Sequence, residues 1–91
     1  MEAVSLKIIK IHGNYQVLKT PLILDVRYDD GEYIVSNEDL NVHSFSKNIE
    51  EAIEDIKKSI ETLWIEFVDA DINILTEDAI GFRSKLKEMF E

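Results

Sequence analysis

Apolar positions along the chain follow two different repeats, one of period two and one of period 3.6. Over residues 4–11 they alternate with polar ones, as a strand requires. Val4, Leu6 and Ile8 share one phase, and Ile9 and Ile11 fall in the other. That change of phase calls for a bulge or for burial on both faces. His12-Gly13-Asn14 reads as a turn, and residues 15–18 as a second short strand. Pro21 has no N–H to give to a ladder, so it confines its surroundings to a strand start or an edge. Residues 22–28 form the clearest strand, with Leu22, Leu24, Val26 and Tyr28 on one face and Ile23, Asp25 and Arg27 on the other. Asp29-Asp30-Gly31 makes a tight hairpin loop, because Asp and Gly tolerate the positive φ such turns need. Residues 32–36 return as its partner, with Tyr33 and Val35 on one face. A polar loop over residues 37–41 then leads to a third short strand of the meander, residues 42–45.

The repeat changes at Ile49. Ile49, Ala52, Ile53, Ile56, Ile60, Leu63, Trp64, Phe67 and Val68 make one stripe of helical period, which predicts a helix to about Asp69. At 1.5 Å per residue its length is roughly 30 Å. Asn48 caps it, with Glu51 placed to complete a capping box. Glu50, Glu51, Glu54 and Asp55 lie near the positive end of the helix dipole, and Glu54 and Lys58 form an i,i+4 pair. A second helix is expected over residues 75–90. Thr76 is its cap, Leu75 and Ile80 hold staple positions, and Ala79, Phe82, Leu86, Met89 and Phe90 make its stripe. Gly81 within it costs about 1 kcal/mol relative to Ala. The expected fold is α+β: a small antiparallel sheet of three to five strands packed on one long helix, plus a short C-terminal helix.

Composition narrows the function. At 91 residues and 45% apolar, the chain supports one domain, residues 1–91, with a small core. There is no cysteine, and so no disulfide framework or thiolate site; this fits a reducing compartment, and a cytoplasmic location is expected. No signal peptide or membrane span is read. The net charge of −9, from 19 acidic and 10 basic residues, repels phosphate backbones and anionic lipid. No direct nucleic-acid contact is expected. The acidity favours a basic partner or serves solubility alone.

Candidate chemistry is sparse. The histidines, His12 beside a turn glycine and His43 in a strand, belong to no metal-binding or catalytic motif. Asp29, Asp30, Glu32, Glu38 and Asp39 flank one strand. They are read either as solvated turn acids or as ligands for a cation or a basic partner. Ser36, Ser44 and Ser46 have no evident base. No catalytic residue, metal or cofactor is expected. Ile65 lies off the main stripe, either as a lone exposed side chain or as a second contact surface. The helical stripes hold more apolar length than three short strands cover. A homo-oligomer is therefore expected, with Ile65, Ile74, Phe82, Leu86, Met89 and Phe90 at its interface and the C-terminal helix crossing to a neighbour rather than folding back.

Residues 22–69 resemble the HicB antitoxin family. The carrying motifs are the acidic turn followed by G-x-Y-x-V, here Asp29-Asp30-Gly31-Glu32-Tyr33-Ile34-Val35, and an acidic-leucine step, Glu38-Asp39-Leu40, before another short strand. The helix opening follows, Asn48-Ile49-Glu50-Glu51-Ala52-Ile53. The resemblance implies a partial ribonuclease-H-like fold without catalysis. It also implies oligomers and a small basic RNA-cleaving toxin, HicA-like, as the protein bound and neutralised. Asp29, Asp30, Glu32, Glu38 and Asp39 are the residues placed to meet it. The family's Pro and Gly around the acidic-leucine step are missing, as is its C-terminal DNA-binding module, so operator binding is not expected. Residues 1–20 add a strand or hairpin that the family pattern lacks. A stand-alone oligomeric interaction domain without a toxin is the alternative reading.

Overall fold

The structure, a computed structural model, describes residues 2–90; Met1 and Glu91, the ends of the domain expected over residues 1–91, lie outside the described residues. Four antiparallel strands pair in chain order: β1 (Glu2–Ile11), β2 (Asn14–Asp29), β3 (Glu32–Asn37) and β4 (Val42–Ser46). The helix α1 (Ile49–Leu63) follows and runs on through a π-helical turn at Trp64–Val68. A 3-10 turn at Ile72–Ile74 then leads into α2 (Glu77–Phe90). The fold is α+β, with the sheet, the long helix and the C-terminal helix that the two repeats predict.

Both tight hairpins have two-residue loops with consecutive positive φ: His12 at 51° with Gly13 at 78°, and Asp30 at 49° with Gly31 at 81°. That is the primed turn whose twist matches flanking strands. The change of phase in β1 is a bulge. Leu6 pairs with Leu22, but Ile8 pairs with Val17, so residues 18–21 of β2 stand opposite Lys7 alone. Pro21 sits in this irregularity, where no ladder N–H is required. The two strands expected at residues 15–18 and 22–28 are thereby one bent strand. Leu6, Ile9, Ile11, Leu18 and Leu22 all reach the core across the bulge, while Ile8 turns outward.

Asn48 caps α1, its side chain accepting from the Glu50 N–H at 2.8 Å and the Glu51 N–H at 3.3 Å. The expected return arm from Glu51 is routed through Ser46. The Asn48 N–H donates to Ser46 Oγ at 3.2 Å, and that hydroxyl donates to the Glu51 carboxylate at 3.0 Å. Glu54 pairs with Lys57 at 3.2 Å rather than with Lys58, a surface contact of little energetic weight. On the inner side Ala52, Ile56 and Ile60 are fully buried. The Ser44 hydroxyl donates to the Ala52 carbonyl at 2.6 Å, pinning β4 to α1.

The course of α2 corrects the expected crossing to a neighbour: it folds back on its own chain. Asp71 caps the 3-10 turn, accepting from the Asn73 N–H at 3.0 Å, and the chain reverses there. Thr76 Oγ1 then caps α2 through the Ala79 N–H at 3.2 Å. The π-helical turn, closed by the Asp69 N–H on the Trp64 carbonyl, presents two aromatic rings to α2. Trp64 meets Phe90 and Phe67 meets Phe82 edge to face, with centroids 5.0 and 4.9 Å apart. Leu86 is fully buried in the same core. Of the residues expected at an oligomer interface, Leu86 is buried in this core, and Phe82, Met89 and Phe90 pack against it partly buried. Leu86→Ala is expected to cost about 2–5 kcal/mol, read from urea melts; an unchanged midpoint would mean that α2 is not docked.

Candidate functional site

The five acids expected to meet a partner are all exposed, but they form two tips rather than one patch. Asp29, Asp30 and Glu32 crown the β2–β3 hairpin, and Glu38 and Asp39 lie in the β3–β4 loop. The length of β3 separates them, about 17 Å at strand rise. The loop is built from within. Asn37 is buried; its Nδ2 donates to the Ile23 carbonyl at 2.9 Å, and its Oδ1 accepts from the Leu40 N–H at 2.9 Å. Leu40 plugs into the core, Asn41 takes a φ of 53°, and Glu38 and Asp39 are left facing water. Lys85 of α2 donates to the Asp39 carbonyl at 2.9 Å and ties this loop to the second helix. Among the described residues no group of three or more His, Asp or Glu side chains is arranged to hold a metal ion.

His12 has a structural task that its neighbours in sequence do not reveal. Its N–H donates to Glu61 at 2.9 Å, and its ring Nε2 meets Asp69, so the tip of the β1–β2 hairpin is latched to the end of the long helix. His43 lies on the outer face of the sheet, in a cross-strand row with Ser36 and Asp25. The residue types are those of a nucleophilic triad, but the order is wrong. Ser36 stands in the middle, where catalysis needs the histidine between the other two.

Charge is concentrated elsewhere. Residues 59–82 contain Glu61, Glu66, Asp69, Asp71, Glu77 and Asp78 and no Lys, Arg or His. These six charges, of a net −9, lie at the end of the long helix and the turn into α2. The same segment carries Ile65, Ile72 and Ile74, exposed by 46, 45 and 75%. The start of α2 borders an open hollow of about 500 Å³ lined by Leu40, Leu63, Phe67 and Phe82, with Thr76 and Asp78 at its edge. Ile65 and Ile74, expected at an interface, are thus exposed, in a segment that is both acidic and apolar. The signal for it was a run of residues without a single base.

The second uncovered surface is the outer face of the sheet. Ile23 and Phe45 are exposed there by 52 and 62%; the half-buried Ile34 pairs with Phe45, and the polar row of Asp25, Ser36 and His43 separates the two from Ile23. No family model, curated protein or solved structure matches the chain.

Asn37→Ala would leave the Ile23 carbonyl and the Leu40 N–H without partners. It is expected to lower stability by about 1–3 kcal/mol in urea melts. An unshifted midpoint would show that the loop does not depend on this side chain.

Proposed function

We propose that the chain is a non-catalytic, HicB-like antitoxin-type protein of the cytoplasm that binds and neutralises a small basic RNA-cleaving toxin. The observation that carries the reading is the segregation of charge along residues 59–82, where six acids and no Lys, Arg or His share the segment with the exposed Ile65, Ile72 and Ile74, His12 alone reaching in to Glu61 and Asp69. Such a surface attracts a basic protein from a distance and then offers it apolar contact. Charge steers the encounter and sets the register, and burial of Ile65, Ile72 and Ile74 supplies the non-directional part. A toxin that grips RNA does so through cations facing phosphate, and carboxylates laid over those cations compete for the same face. The acidic meander and capped helix over residues 22–69 support the family reading. The tips at Asp29, Asp30 and Glu32 and at Glu38 and Asp39 extend the negative field at both ends of β3. The alternative, a stand-alone oligomeric interaction domain, is favoured by the open sheet face.

The test is a pull-down and calorimetric titration with the small basic protein encoded beside this chain. Binding is expected, weakening steeply with salt, and by at least about tenfold in a Glu66→Lys, Asp71→Lys, Asp78→Lys triple variant. No complex with that protein would sink the antitoxin reading, and a triple variant that binds as well as the parent would remove the surface from it. Specific binding to double-stranded DNA is not expected, and a salt-dependent gel shift on its own upstream DNA at nanomolar protein would contradict this.

A further inference from the structure

Three elements meet around the hollow at the start of α2. Leu63 and Phe67 reach it from α1 and its π-helical turn, Ala79 and Phe82 from α2, and Leu40 from the β3–β4 loop. Its walls are therefore largely apolar, and two of the side chains are aromatic. The volume, about 500 Å³, falls within the range of small-ligand sites, roughly 300–1,000 Å³. The turn that supplies Phe67 is π-helical, and such turns recur at functional sites. The walls are also preformed. Phe67 and Phe82 hold each other edge to face at 4.9 Å, and the Leu40 N–H is anchored on Asn37.

Charge selects the occupant. The lining holds one carboxylate, Asp78, and no Lys, Arg or His. Among the described residues no base lies within ion-pair distance of Asp78. A wholly apolar occupant would cover the walls and leave that carboxylate to water. An apolar stem with a cationic head matches both parts of the site. Arginine suits it better than lysine. A guanidinium is weakly hydrated, stacks on aromatic rings and meets a carboxylate through two parallel N–H bonds. The ammonium of lysine is strongly hydrated and resists entry between apolar walls.

We propose that this hollow takes an arginine side chain of the basic partner, with its stem against the apolar walls and its guanidinium at Asp78. The source of the arginine rests on the antitoxin reading; the preference of the hollow for an alkylguanidinium does not.

The two parts are tested separately on the full chain. An NMR titration uses n-butylguanidinium, which carries the head and stem of an arginine side chain. It is expected to shift the amide signals of Leu40, Asp78, Ala79 and Phe82 and to saturate at concentrations on the order of millimolar, as a fragment of this size can. The neutral isostere n-butylurea is expected to bind at least about fivefold more weakly. Asp78→Asn is expected to remove that preference. Ala79→Leu, which fills the hollow, is expected to weaken n-butylguanidinium at least about tenfold without lowering the urea midpoint. Absence of shifts around the hollow in the parent chain would overturn the proposal. So would n-butylurea binding as tightly as n-butylguanidinium, the mark of an apolar occupant, or a preference that survives Asp78→Asn. With the small basic protein encoded beside this chain, Ala79→Leu is expected to weaken the complex at least about tenfold. A complex as tight as that of the parent would overturn the placing of the partner's arginine here and leave the antitoxin reading standing. No complex with the parent chain would sink the antitoxin reading and with it the source of the arginine, while the n-butylguanidinium titration still decides the hollow.

Discussion

Everything in this fold depends on sealing one face of one sheet. A chain of 91 residues buries a limited share of its surface, and this chain concentrates its buried side chains in a single layer. Leu24 of β2, Val35 of β3, Ala52, Ile56 and Ile60 of α1 and Leu86 of α2 have no exposed surface at all. They come from four elements, and each element is held by something outside that layer. Ser44 pins β4 to α1, the His12 latch holds the hairpin to the end of the long helix, and aromatic pairs dock α2. Withdrawing any one of these elements opens the layer.

The cost of that concentration appears on the other side of the sheet and at the helix turn. Among the described residues no third helix covers Ile23 and Phe45, and the turn that lets α2 fold back leaves Ile72 and Ile74 exposed. The two uncovered surfaces differ in charge. The turn holds acids and exposed isoleucines; the sheet face sets Asp25, Asp29 and Glu32 around Arg27, Ile34 and Phe45.

Local features were legible in the sequence, and long-range ones were not. The alternation over residues 22–28, the Asp30-Gly31 turn, the Asn48 and Thr76 caps and the stripe from Ile49 to Val68 each follow from a few neighbouring residues. The bulge was legible only as a choice, because its resolution depends on what lies opposite Lys7. Joining residues 15–18 to 22–28 required knowing that Pro21 faces a gap in the ladder. The course of α2 was misread for a related reason: an apolar stripe says that a face must be covered and not which chain covers it. His12 looked like a turn residue because its partner Asp69 is 57 positions away. The candidate site was half legible. The count of acids could be read directly, and Ile65 could be read as off the main stripe. The His12 contacts to Glu61 and Asp69, and the separation of Asp29 from Asp39 by the length of β3, needed the fold.

The central claim is that the helices seal the inner face within one chain and leave the turn isoleucines in water. Methyl NMR with a soluble paramagnetic probe measures this residue by residue. The methyl signals of Leu24, Ile56, Ile60 and Leu86 are expected to keep their intensity, while those of Ile72 and Ile74 fall away. Attenuation of Leu86 to the level of Ile74 would contradict the claim, because it would place α2 off the core and reopen the face on which the rest of the structure depends.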